Sequence, residues 1–138
     1  VAPDPNTPAA RLLQDEGLVD AFVTADARDP LAVSEAVLAI APEGADLTVN
    51  CVNVPGTELA TILCTKDDGV AYFFSMSTSF TAAALGAEGA AKDITMIVGN
   101  GYCKGHADTA LQTLRDYPAI RAYFEQRYGA NTTPGSTT

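Results

Sequence analysis

Basic residues are scarce in this sequence: its 138 residues carry 8 Lys and Arg against 17 Asp and Glu, a formal net charge of -9. So acidic a surface repels nucleic-acid phosphates and anionic membranes, so neither nucleic acid nor membrane is an expected partner. No apolar run approaches the ~20 residues of a membrane-spanning helix, and no basic-apolar-small leader opens the chain, which points to a cytoplasmic protein. Cys51, Cys64 and Cys103 are far apart, with no CxxC pair and no Cys/His ligand spacing. That pattern argues against a disulfide framework or a zinc site and for reduced thiols. His106 is the only histidine, three residues from Cys103. A catalytic Cys/His pair and a surface histidine near a helix start both fit that spacing. An initiator methionine is also absent, the chain opening on Val1.

What the sequence does contain is a globular composition, 47% apolar, at the length of one domain. Chains of this size bury roughly 68–70% of their unfolded surface. One domain over residues 1–129, with a polar and disordered tail at 130–138, is the expected organisation.

Thr7 or Asn6 caps a helix expected over residues 8–16, with Pro8 in its first turn and Gly17 as its stop. Residues 19–25 (VDAFVTA) have the β-branched and aromatic content of a strand. Leu31, Val33, Val37, Leu38 and Ile40 recur at helical spacing. Residues 47–54 (LTVNCVNV) read as a buried strand, followed by a short helix through Leu59, Ile62 and Leu63. A turn at Asp67, Asp68 and Gly69 leads into a strand over 70–74. An alanine-rich helix over 80–91 and a strand over 94–98 follow. Helices over 105–115 and 118–127, separated at Asp116-Tyr117-Pro118, complete the series.

Strands that alternate with helices and read as continuous apolar runs belong to α/β folds with a parallel, doubly wound sheet. Ligands of such sheets lie beyond the carboxyl ends of the strands. The informative residues are therefore Asp26 and Arg28, the stretch 53–58, the stretch 75–79, and Gly99 to Gly101.

GNGYCKG, residues 99–105, places three glycines between a strand and a helix, as a pyrophosphate-cradling loop does. No further strand follows to receive a crossover, so the turn at a strand's end is the better account. Val1 to Asp4 has the form of a strand stub ending in an acidic residue, the place of a ribose-binding Asp. It reads equally as a proline-rich leader. On the first reading the initial strand and its glycine loop precede residue 1.

Four segments carry a family resemblance: NVPGTE (53–58), FFSMSTSF (73–80), AALGAEG (83–89) and GNGY (99–102). With these, residues 20–128 resemble the C-terminal part of the L-erythro-3,5-diaminohexanoate dehydrogenase family, related to the medium-chain dehydrogenase/reductases. The resemblance implies a partial Rossmann-like domain lacking the first strand and glycine-rich loop. It also implies NAD as hydride acceptor, an amino-acid substrate, oxidative deamination to 5-amino-3-oxohexanoate within lysine fermentation, and a homodimer paired through the last strand. On that frame Asn53, Val54, Gly56 and Thr57 border the nicotinamide, and Ser75, Met76 and Ser77 line the same crevice. Asp26 lies on the adenine side and Asp4 at the ribose. Glu58 holds a substrate ammonium or acts as a base, or else it is a first-turn glutamate favoured by its helix dipole. A chain lacking the pyrophosphate loop is expected to be inactive alone. A noncatalytic α/β binding or assembly module is the alternative.

Overall fold

A computed structural model describes residues 4–99 and 103–129. The expected strand stub before Asp4, the middle of GNGYCKG and the tail at 130–138 lie outside the described residues. The chain divides into two compact units, Val1–Pro5 with Ala21–Gly101, and Asn6–Asp20 with Tyr102–Thr138.

The first unit is α/β. Its elements are α2 (Pro30–Leu38), β1 (Ala45–Asn50), α3 (Glu58–Cys64), β2 (Thr65–Phe73), α4 (Phe80–Gly89) and β3 (Thr95–Val98). The strands form a parallel sheet in the order β1-β2-β3, as the alternating pattern predicts. Asn50 pairs with Phe73 and Phe73 with Val98, so all three strands end at one level. That common ending gathers their exit loops at one edge of the sheet.

Helix starts follow local chemistry. Asp29 accepts the Ala32 N–H at 3.0 Å with Pro30 at the first helical position, and Ser79 accepts the Ala82 N–H at 3.2 Å. Each side chain satisfies an amide that the first helical turn leaves without a partner.

The core lies on one face of the sheet. Ile62 of α3, Ala71 and Phe73 of β2, and Ala83 and Ala87 of α4 form one buried cluster, against which Met96 and Val98 pack. Val33, Ala60 and Cys64 form a second, joined by Ala25 and Val37. The other face carries Leu47, Val49 and Ile97, all about half exposed, so the helices α2 to α4 cover one side only.

Three expectations change in this unit. Residues 19–25 do not form a strand; among the described residues the segment has a single bridge position, Thr24. β-propensity alone supplies no ladder, which needs paired neighbours over several residues. The strand expected over 47–54 ends at Asn50, because the Asn50 side chain accepts the Val52 N–H at 3.0 Å and turns the backbone. The turn expected at Asp67-Asp68-Gly69 is absorbed into β2 as an irregularity, with Asp68 at φ 61° and the register slipping opposite Ala45 and Leu47.

The second unit contains α1 (Pro8–Asp15), α5 (His106–Asp116) and α6 (Pro118–Tyr128). Thr7 caps α1 by accepting the Ala10 N–H at 3.2 Å. Pro118 opens α6 and marks the break from α5. Neither α5 nor α6 has a buried residue.

Candidate functional site

Parallel strands with a common end leave their exit loops side by side, and here two of them are tied together. The loop after β1 and the loop after β2 meet where the Ser77 hydroxyl donates to Asn53 Oδ1 at 2.8 Å. Ser75 Oγ accepts the Ser77 N–H at 3.1 Å, which turns the second loop toward the first. Behind them, the Phe74 and Ser75 amides donate to the Asn50 carbonyl at 3.0 and 3.1 Å. Asn53 thus shares one rim with Ser75 and Ser77, which lie more than twenty residues later in sequence. Val54 and Met76 stand exposed beside them, Met76 at 85%. Gly56 adopts φ +83° with open space where a side chain would be.

Thr57 and Glu58, from the same stretch, are turned inward and buried. The Thr57 hydroxyl accepts from Asn50 Nδ2 at 2.9 Å. Glu58 Oε1 accepts the Ser79 N–H at 2.7 Å. A carboxylate that is 3% exposed and engaged with the backbone is held inside the protein, not presented at the crevice. The stretch 53–58 therefore splits: its first residues face outward and its last two anchor α3.

Beneath the rim runs a polar seam that pattern reading did not find. Asn50 Nδ2 also donates to the Thr61 hydroxyl at 2.9 Å, and Thr61 and Thr65 each donate to the carbonyl four residues back, at 3.0 and 2.9 Å. The Thr48 and Thr65 hydroxyls bond across from β1. The available signal was the threonine spacing 57, 61, 65, one stripe along α3. Thr48, Asn50, Thr57 and Thr61, with Val33 and Ala60, border a cavity of about 240 Å³ beside β1. Cys64 lies on its wall, and burial pushes its thiol pKa up.

Asp26 and Arg28 occupy an exposed turn of their own. Arg28 donates twice to Asp26, at 3.0 and 2.7 Å. Those hydrogen bonds, from side chain and then backbone, lower the Asp26 pKa to about 2. A carboxylate so paired is anionic throughout the physiological range. Asp4 is exposed immediately before the turn leading into α1. His106 opens α5, with Nδ1 2.8 Å from the Cys103 carbonyl and not directed to its thiol; Cys51 and Cys103 are exposed and Cys64 is buried, all three as free thiols.

No group of His, Cys, Asp and Glu among the described residues is arranged to hold a metal ion. None of the described helices is long and apolar enough to cross a membrane.

A parallel α/β sheet with a polar rim at its carboxyl ends is a Rossmann-like segment. No family model matches the chain. Two curated relatives do. Over 86% of its length the chain is 51% identical to the L-erythro-3,5-diaminohexanoate dehydrogenase of Acetoanaerobium sticklandii. Over 78% it is 54% identical to the enzyme of the same name from Fusobacterium nucleatum. The resemblance read from NVPGTE, FFSMSTSF, AALGAEG and GNGY is thus borne out across most of the chain. The chain spans about a third of the length of these relatives, 35% and 31%.

Proposed function

We propose that this chain is the later portion of the nicotinamide-binding domain of an oxidoreductase acting on L-erythro-3,5-diaminohexanoate. The observation that carries the reading is the 51% identity over 86% of the chain to a dehydrogenase of that name. The joined rim of Asn53 and Ser77 supports it, since it stands where α/β sheets take their ligands.

The overall change is 3,5-diaminohexanoate, NAD and water giving 5-amino-3-oxohexanoate, ammonium, NADH and a proton. NAD, when bound, supplies the hydride acceptor. The fit of this chain to that group is partial and specific. Asn53 and Ser77 offer polar atoms for a carboxamide, and exposed Val54 and Met76 offer an apolar flank for a flat ring. Ser75 holds Ser77 in place through its amide. Asp26, kept anionic by Arg28, serves the adenine side, and Asp4 the ribose. The pyrophosphate falls to a glycine loop in the remaining length of the enzyme, and so does most of the substrate pocket.

The protein acts as a cytoplasmic homodimer in this reading. β3 lies at an edge of the described sheet, and an edge strand is satisfied by pairing with its twin across a two-fold axis. Light scattering of the intact enzyme checks this, with a stable monomer as the opposing result.

The decisive experiment compares the 138-residue chain with the longer polypeptide that contains it, following NADH formation from 3,5-diaminohexanoate. Turnover by the longer form and none by the chain alone is expected. A longer form that leaves both NAD and NADP unreduced overturns the reading. Appreciable turnover by the chain alone overturns the division of the site.

A further inference from the structure

Ser79 begins α4 with its hydroxyl on the Ala82 N–H. In a capping box the residue three positions on is Glu or Gln and reaches back to the N–H of the capping residue. Here that residue is Ala82, which has nothing to reach back with. The Ser79 N–H is nevertheless taken, at 2.7 Å, by the carboxylate of Glu58 from the first turn of α3, 21 residues earlier. The start of α4 is thus held by one buried carboxylate from a different helix.

We propose that Glu58 is a positioning residue that completes the α4 cap from another helix and thereby sets the loop carrying Ser75 and Ser77. The inference deepens the functional reading above and rests on it for the loop's purpose. Its structural content stands on four contacts. Glu58 fixes Ser79, and the Thr78 N–H donates to the Ser75 carbonyl at 3.3 Å. Ser75 Oγ holds the Ser77 amide, and Ser77 Oγ reaches Asn53. Both ends of this chain of contacts lie in the segment 53–58, so the second loop is closed onto the first from inside and from outside. A charged acceptor is the stronger choice for the inner tie, because a hydrogen bond to a carboxylate exceeds a neutral one. Glu58 acts here through Ser79 and does not touch substrate.

The test is amide hydrogen exchange by NMR on the 138-residue chain without cofactor, comparing Glu58→Ala and Glu58→Gln with the parent. Loss of a bond to a charged group predicts that the Ser79 and Ser77 amides exchange about tenfold faster or more in Glu58→Ala, while Ala71 and Phe73 in the core strand keep their rates. Glu58→Gln retains an oxygen at the same place and restores most of the protection. An unchanged Ser79 amide in Glu58→Ala overturns the proposal. So does a faster Ser79 amide with Ser77 unaffected, which reduces Glu58 to a cap of α4. If Glu58→Ala does not fold, Glu58→Gln decides: a modest joint acceleration of Ser79 and Ser77 beyond that of the core amides supports the tie, and rates unchanged at both, or accelerated only as much as the core amides, overturn it. Because no cofactor is present, these outcomes are independent of whether the longer enzyme reduces NAD.

Discussion

Ser77 and Asn53 lie 24 residues apart in sequence and are joined at 2.8 Å by a hydroxyl-to-amide hydrogen bond across two strand exits. Both residues are exposed around this bond, so its net effect on folding is small while its effect on the rim's shape is direct. Ser77→Ala and Asn53→Ala in the intact enzyme should weaken NADH binding by about two- to tenfold, the worth of one hydrogen bond of about 0.5–1.5 kcal/mol. Calorimetric titration measures the affinity, and a thermal scan should show little change in Tm. Unaltered affinity in both variants would place the cofactor elsewhere.

Asn50 is the buried hub beneath that rim, with donors to Thr57 and Thr61 and an acceptor for Val52. Removing it leaves two threonine hydroxyls and an amide short of partners. Asn50→Ala is therefore expected to lower stability by about 1–3 kcal/mol, or more if the cavity beside β1 does not relax. A urea denaturation series reads this as a lower midpoint at unchanged slope.

Asp26 gives a pH signature. Its pKa is lowered to about 2 by the Arg28 side-chain bond above all, below the ~3.9 of an unfolded aspartate. The pair thus favours the folded state at pH above the ordinary carboxylate range, and this contribution fades as pH falls from about 4 through 2. NMR titration of the Asp26 carboxyl should give a midpoint near 2, moving up toward the ordinary value in Arg28→Gln. A midpoint unmoved by Arg28→Gln would deny the pairing.

Gly44 and Gly89 should respond to alanine in opposite directions. Gly44 sits at φ +87°, where a Cβ would stand 2.8 Å from the Lys66 backbone nitrogen. The strained φ alone costs of order 1–3 kcal/mol, and the backbone contact adds to it. Gly89 closes α4 with nothing within 4 Å of an added Cβ. Alanine there stabilises by about 0.4–1 kcal/mol through the unfolded chain's lost freedom. Paired thermal scans of Gly44→Ala and Gly89→Ala give the comparison directly.

Much of the fold is legible locally because its signals are local. Asp29-Pro30 and Ser79 start helices through their own side chains, Pro118 breaks α5 from α6, and the apolar runs mark β2 and β3. Residues 19–25 have equally good β-branched content and yet show only the bridge position Thr24 among the described residues, because propensity by itself does not make a ladder. β1 ends four residues short of the apolar run 47–54 because Asn50, which lies within that run, bends the chain back on itself through its side chain.

The site divides in the same way. Sequence by itself determined the parallel α/β class, the family likeness, and which loops hold the polar residues, since periodicity and motif composition are properties of neighbours along the chain. Only the tertiary structure decided which of those residues face outward. Asn53 and Ser77 meet at the rim because Asn50, Phe73 and Val98 end in register. Glu58, further along the same stretch, is turned inward, where its carboxylate accepts the Ser79 N–H of a helix distant in sequence.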